Sequence, residues 1–387
     1  MSKTGTIAKP KMLFVVTEDW YFCSHRLPLA LAAIEAGMEV AIATRVAAHG
    51  ETMRAAGIAI HPWDISRGAT GVWGELQTVY RLFKIYRAVK PDLVHQVALK
   101  PVLYGSLVAK LTGVRNVVNA LGGMGFVFNG GAGRPQWLRT LIVTGMRWLL
   151  TGRHELLILQ NPDDVELMVS QAKIKQSSIR LIRGAGVDVD QFCAEPASGA
   201  PPMVMLPARM LWDKGIGEYV EAARMLKAKG VALRCVLVGG IDECNPSAIP
   251  QRQLQAWQDE GVVEWFGRRD DMPEVYRQAD IVCLPSYREG LPKALLEAAS
   301  CSRPIVATDV PGCREIVVDG VNGMLVAARE VAPLAAALET LAADAALRLR
   351  MGQAGRDMVV REFSEQYVVD ATLAVYRELL PPAQART

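Results

Sequence analysis

A chain of 387 residues, 51% hydrophobic and 21% charged, is long for one core and comfortable for two. Its polar start (MSKTGTIAKPK), the absence of any run near the ~18 apolar residues of a membrane span, and seven scattered cysteines without metal-knuckle spacing argue against a signal peptide, an integral membrane protein and a disulfide or zinc scaffold. Residues 1–190 hold 22 Lys and Arg against 14 Asp and Glu, and the remainder 21 against 26, so the basic half invites an anionic partner: a phosphate, a membrane surface or nucleic acid.

In chain order, KMLFVVT (11–17) and MEVAIAT (38–44) read as buried strands, with a helix over HRLPLALAAIEAG between them. PDLVHQV (91–97), RNVVNAL (115–121), LLILQ (156–160) and IRLI (179–182) continue the alternation of strand and helix, which predicts a parallel sheet covered on both faces. The small-residue and proline-rich segment 187–202 reads as the interdomain linker. After it come MVMLPA (203–208), LRCVLVGG (233–240), VEWFG (263–267), DIVCLPS (280–286), PIVAT (304–308) and MLVAA (324–328). The expectation is α/β with two Rossmann-like domains, 1–190 and 191–362, and a ligand in the cleft at the carboxyl ends of their strands. The C-terminal segment 363–387 reads as a final helix, available to pack back on the first domain.

The richest chemistry lies in PSYREGLPKALLEAAS (285–300), where Glu289 and Glu297 stand eight positions apart. A strand runs into a turn, Gly290 lets a ligand approach the backbone, and Pro292 fits a first helical position. The early N–H groups of the helix, around Leu291 and Lys293 on either side of that proline, then form an anion site. Eight helical residues span about 12 Å, whereas the carboxylates of a glycoside hydrolase sit roughly 5–9.5 Å apart. Two readings stay open on these residues alone: a helix entry with one exposed Glu, or a grip on a long ligand with hydroxyls at both ends and phosphate between. Downstream of MVMLPA, Arg209 and Lys214 stand near a helix start, as cations suited either to a leaving diphosphate or simply to solvent.

ARMLWDKG, FGRRDDMPEVYRQADIVCLPSYREGLPKALLEAA and PIVATDVPGCREIVVDGVNGMLV together resemble the retaining glycosyltransferases of family 4, which have the GT-B fold; the resemblance is dense from about 203 to 328. It implies that Glu289 takes the hexose hydroxyls of a UDP-sugar and Glu297 the ribose. Arg209 and Lys214 would take the diphosphate, supported by the amides around Leu291–Lys293, and the backbone at Arg268 would meet the base. Glu289, Arg209 and Lys214 are thereby the catalytic candidates, the anomeric configuration is kept, and neither a metal nor another cofactor is required. The family establishes no protein nucleophile.

For the first half the resemblance implies acceptor recognition, with Asp19, His25, His95, Lys100, Asn119 and Gly123 as candidates. Relatives often carry a second His where this chain has Val97, and a His where it has Asn119, which counts against a simple His base. Ser24 is expected to cap a helix. EDWYFCSHRLPLA, ALKPVLYG, NALGGMGFVF and NPDD resemble a subgroup, N-acetylgalactosaminyltransferase-like, acting on undecaprenyl-diphosphate-linked sugars; UDP-GalNAc or UDP-GlcNAc is the donor this suggests.

VYRLFKIYRAVK (79–90), with Arg81, Lys84, Arg87 and Lys90, and RPQWLRTLIVTGMRWLLTGR (134–153) mix basic and aromatic residues. Such segments suit an anionic membrane surface, which implies a cytoplasmic protein attached peripherally to the inner face of the cytoplasmic membrane. The basic segments lack a nucleic-acid reading motif, so no nucleic-acid partner is expected. The alternatives are a UDP-N-acetylglucosamine 2-epimerase-like enzyme on the same architecture and a transferase with a non-lipid acceptor. The E-x7-E helix with its Arg/Lys pair favours transfer.

Overall fold

The structure, a computed structural model, describes residues 9–65, 71–122, 136–152, 154–193, 201–243 and 245–380. The chain forms two units: one runs up to Ala185 and resumes from Val368, and the other is Gly186–Tyr367.

In the first unit the chain runs β1 (Lys11–Glu18), α1 (Asp19–His25), α2 (Leu27–Glu35), β2 (Glu39–Arg45), α3 (Gly50–Ala55), β3 (Ala59–Pro62) and α4 (Gly71–Val89). It continues through β4 (Leu93–Val97), α5 (Leu99–Thr112), β5 (Asn116–Leu121), α6 (Gln136–Leu149), β6 (Glu155–Leu159), α7 (Pro162–Ser170) and β7 (Ile179–Leu181). The seven strands pair in parallel in the order β3-β2-β1-β4-β5-β6-β7. Strands buried on both faces read as unbroken apolar runs, and β4, β5 and β6 are buried almost throughout. The order reverses between β1 and β4, the topological switch point where ligands sit at the strand ends.

Three local details depart from the sequence expectation. The helix expected over 25–37 is two helices broken at Arg26, because Pro28 stands in the first turn of α2 and cannot continue a preceding helix. Ser24 therefore lies in α1 rather than at a cap; the N-cap of α2 is Arg26, and the Ser24 hydroxyl bonds to His25 Nδ1. Strand β3 escaped notice because it is a four-residue edge strand, half exposed and ending in Pro62, where a proline costs no ladder bond. NPDD has a structural explanation as well: Asn161 caps α7, accepting from the Asp164 amide at 2.8 Å, with Pro162 and two acids in the first turn.

The second unit runs β8 (Met203–Pro207), α8 (Ile216–Ala228), β9 (Arg234–Val238), α9 (Gln251–Asp259), β10 (Glu264–Trp265), α10 (Met272–Gln278), β11 (Ile281–Leu284), α11 (Lys293–Ser300), β12 (Ile305–Thr308) and β13 (Gly323–Val326), followed by α12 (Val331–Ala343) and α13 (Ala345–Glu362). Its six strands are parallel in the order β10-β9-β8-β11-β12-β13, with the switch point between β8 and β11. The six cysteines among the described residues are unpaired.

The chain passes between units at Ala185/Gly186, five residues before the expected 190/191, and returns at Val368 rather than at 363. Val187 is no linker residue: its amide donates to Phe363 O at 3.0 Å, and its carbonyl accepts from the Glu365 amide at 2.9 Å. The expected linker's middle, 194–200, lies outside the described residues. The last helix, α14 (Glu365–Leu379), buries Val369, Leu373, Tyr376 and Leu379 in the first unit's core.

Tyr376 carries a polar tie as well. Its hydroxyl meets His95 Nδ1 at 2.5 Å, deep in the first unit, where the imidazole also stacks on Phe14 at 5.3 Å. Burial, and then the nearby Arg26 charge, push the imidazole well below its ordinary value and keep it neutral. Tyr376→Phe leaves that nitrogen unpaired and should cost about 1–3 kcal/mol. A lowered thermal midpoint with unchanged far-UV circular dichroism is the expected result; an unchanged midpoint would sink the assignment.

Candidate active site

In the second unit every loop of interest leaves a strand at its carboxyl end. Arg209 and Lys214 follow β8, Gly239, Gly240 and Asp242 follow β9, Gly267 and Arg268 follow β10, Tyr287–Gly290 follow β11, and Gly312 follows β12. Backbone bonds join these loops edge to edge. The Gly239 amide donates to Gly267 O at 2.8 Å, Met210 to Gly240 O at 3.0 Å, and Tyr287 to Asp213 O at 3.0 Å.

Two glycines fix how close the loops come. Gly215, with φ +69°, is the N-cap of α8, and a Cβ there would lie 2.1 Å from Pro285 O. Gly312, with φ +85°, would place one 2.4 Å from Gly290 O and 2.8 Å from Glu289 O. Any other residue would force the loops after β8, β11 and β12 apart.

At the switch point Lys214 Nζ lies 2.5 Å from Glu289 Oε1, with 20% and 12% of the two side chains exposed. Two residues assigned to separate parts of a donor are thus each other's partner here. Arg209 pairs with Asp242 at 2.5 Å and keeps about half its side chain exposed. The Arg268 side chain is largely exposed and pairs with Asp270 at 3.3 Å.

Helix α11 starts at Lys293, one position later than the sequence suggested, with Pro292 as its N-cap rather than its first residue. Pro292 makes no side-chain cap bond, and the N-terminal end of a helix favours an anion. Leu295, Leu296, Ala298 and Ala299 hold the helix against the core, while Leu291 packs at its margin. Glu297, one turn in, lies 3.9 Å from Lys293 Nζ with 14% of its side chain exposed. Burial raises its carboxyl above the ordinary glutamate value, opposed by Lys293 and the Tyr276 hydroxyl. Glu297 is therefore a sunken acceptor with one cation beside it, ready for a hydroxyl donor.

Three participants had no prior assignment. Asp242 holds Arg209. Glu218 accepts from the Tyr287 hydroxyl at 2.6 Å, and Arg329 stacks over the Tyr287 ring at 4.4 Å. Their sequence signal was faint: an acid two places past a Gly pair, and an acid in the first turn after Lys-Gly.

In the first unit the candidates separate. Asp19 is fully buried and accepts from the amides of Trp20, Ala47 and His49 at 2.8, 2.7 and 2.9 Å. Burial works against its charge, but these donors prevail and hold its pKa below the usual value. It therefore ties the loop after β2 to the start of α1. His25 stands in the last turn of α1, next to the Arg26 N-cap of α2, and stacks on Tyr21 at 4.2 Å. His95 and Asn119 are interior, the latter 3.3 Å from the Ser106 hydroxyl. Lys100, at the start of α5, is partly exposed and pairs with Glu75 at 3.0 Å. Gly123 lies outside the described residues.

Two family models match the chain: "Glycosyl transferase 4-like" over residues 11–161 and "Glycosyl transferases group 1" over residues 201–344. The chain is 26% identical to the N,N'-diacetylbacillosaminyl-diphospho-undecaprenol α-1,3-N-acetylgalactosaminyltransferase of Campylobacter jejuni, over 92% of this chain and 95% of that protein. It is 28% identical to the putative glycosyltransferase EpsD of Bacillus subtilis, over 95% and 96%. Among solved structures it resembles a glycosyltransferase from Rickettsia africae (TM-score 0.77, 18% identity, 97% of this chain and 100% of that one). Anabaena HepE in complex with UDP is similarly close (TM-score 0.76, 17% identity, 95% and 100%). Two parallel-sheet Rossmann-like units matched in this way bear out the GT-B fold expected from the sequence. The chain belongs to the glycosyltransferase-4-type family of GT-B glycosyltransferases.

Proposed function

We propose that this glycosyltransferase moves a hexose or N-acetylhexosamine, with retention, from a UDP-sugar to a sugar carried on a polyprenyl diphosphate, in bacterial surface-glycan or glycoprotein-glycan assembly. The observation that carries the donor half is the meeting of Lys214 and Glu289 at 2.5 Å, at the β8/β11 switch point, in the loop that leads into α11. In this reading the diphosphate takes Lys214, Arg209 and the amides at the start of α11. Glu289 then turns to the hexose hydroxyls, and Glu297 receives the ribose. The acceptor half is supported by the similarity to the Campylobacter enzyme, whose name specifies an undecaprenyl-diphosphate-linked acceptor.

The proposed step is a front-face substitution. The acceptor hydroxyl oxygen forms a bond to the anomeric carbon as the bond to the UDP oxygen breaks on the same face. The acceptor proton passes to the departing phosphate oxygen, and Lys214 and Arg209 neutralise the charge that gathers there. Such an acceptor places the enzyme at the inner face of the cytoplasmic membrane, and no described helix is long and apolar enough to cross one.

Incubation with radiolabelled UDP-sugars should yield labelled lipid only when a polyprenyl-diphosphate-linked sugar is supplied. A UDP-sugar isomer formed without acceptor would instead mark an epimerase. With Lys214 and Arg209 supplying the positive charge, EDTA should leave the rate unchanged; a loss restored by a divalent cation would refute the metal-free step.

Single substitutions separate the two glutamates. Glu289→Ala should abolish transfer yet leave UDP affinity equal or tighter, since UDP has no hexose and Lys214 loses its counter-ion. Glu297→Ala should weaken UDP about 10-fold or more, as expected for hydrogen bonds to a charged group. Equal UDP binding by wild type and Glu297→Ala in calorimetry would overturn the ribose assignment.

A further inference from the structure

Helix α4 turns two unlike faces outward and inward. Thr78, Leu82 and Tyr86 are buried. At 100° per residue, Trp73, Leu76, Tyr80, Lys84 and Arg87 fall within about 80° of arc on the opposite side. These are not the margins of a core: Trp73 is 85% exposed, Leu76 54% and Tyr80 56%, with Val72 beside them at 76%. Four large apolar residues within nine positions of one helix make an exposed patch of the kind that marks an interaction site.

We propose that the outward face of α4 is the part of this protein that enters the membrane interface, with Val72, Trp73, Leu76 and Tyr80 seated among acyl chains and Lys84 and Arg87 on anionic headgroups. The inference rests on the lipid-linked acceptor proposed above and names the element that would meet the lipid.

Charge decides for lipid over a protein partner. The second half of α4 and the residue after it carry Arg81, Lys84, Arg87 and Lys90, all exposed. The helix holds a single acid, Glu75, which is already committed to Lys100 Nζ at 3.0 Å and to the Tyr104 hydroxyl. Lys84 Nζ sits 4.7 Å from the Tyr80 ring centroid, so the basic stretch continues the apolar one directly. An aromatic and aliphatic stripe that grades into lysine and arginine along one helix face suits an anionic bilayer surface.

The geometry also gives the stripe a purpose. α4 begins at the carboxyl end of β3, so its apolar half lies at the end of the sheet where β1 and β4 deliver their loops. Glu75, on the second turn of α4, clasps Lys100 and Tyr104 on the first turns of α5, which follows β4 directly. A lipid-seated α4 therefore holds the β4–α5 corner, and Lys100 with it, close to the headgroup layer where a polyprenyl diphosphate would present its sugar.

The full chain would be tested by co-sedimentation with phosphatidylcholine vesicles, with and without phosphatidylglycerol. Four proteins are compared: wild type, Trp73→Ser/Leu76→Ser, Lys84→Gln/Arg87→Gln, and Leu349→Ser as an exposed-apolar control in the second unit. Wild type and the control should pellet with phosphatidylglycerol vesicles, the serine pair should bind about tenfold more weakly, and the glutamine pair should lose most of the salt sensitivity. UDP binding should be equal in all four. If wild type and the serine pair pellet alike, α4 is not the inserting element, although the membrane reading survives. If wild type pellets with neither vesicle, both membrane statements fall, while transfer to a detergent-dispersed acceptor still tests the reaction. A dimer that becomes monomeric only in the serine pair, by light scattering, would make this face a contact between copies and overturn the proposal.

Discussion

Lys214 and Glu289 meet in a space that leaves only 20% and 12% of their side chains to solvent, and the organisation of the second unit follows from that contact. Removing one partner of such a pair leaves the other desolvated without a counter-charge, a penalty of about 3–5 kcal/mol when burial is complete and less at this partial exposure. The pair spans the switch point, so one ionic contact ties the loop after β8 to the loop after β11. Gly215 against Pro285, Gly312 against Gly290 and the Tyr287–Asp213 backbone bond hold those loops at the separation the pair needs. In the proposed reading, a donor phosphate would compete for a lysine that is already positioned and free a carboxylate that is positioned as well.

The first unit applies the same physics to a different end. Its polar residues near the strand ends are mostly turned inward and paired: His95 with Tyr376, Gln96 with Tyr86 and Ser106, Asn119 with Ser106, and Asp19 with three amides. Matching buried polar groups in this way matters because an unmatched one costs about 1–3 kcal/mol, more than a hydrogen bond contributes net. The His95–Tyr376 contact adds specificity to the docking of α14, which is otherwise held by apolar packing and by the ion pair of Glu378 with Arg180 on β7. Among the described residues, α4 displays aromatic and basic residues to solvent in quantity.

Much of this was legible in the residues. Parallel strands buried on both faces leave unbroken apolar runs, so twelve of the thirteen strands among the described residues could be read directly; β3, short, half exposed and ending in proline, left no such trace. The two glutamates, the Arg/Lys pair and the glycine between them stood out because each type has few chemical uses at that spacing. Pairing partners were not legible. Asp242 and Glu218 meet Arg209 and Tyr287 across 33 and 69 residues of sequence, and no local pattern records such a contact. Burial was misjudged for the same reason: Asp19 and His95 look like solvent-facing polar residues until the amides and the tyrosine that satisfy them come into view.

The sequence by itself determined the α/β alternation, the two-domain plan, the donor motif and the family, since periodicity and short motifs are properties of neighbouring residues. Only the tertiary structure decided that Lys214 belongs to Glu289, that α14 returns to the first unit through Tyr376, and which side of α4 faces outward. Those outcomes depend on which distant groups share a low-dielectric interior, where an unpaired charge or donor is too costly to persist.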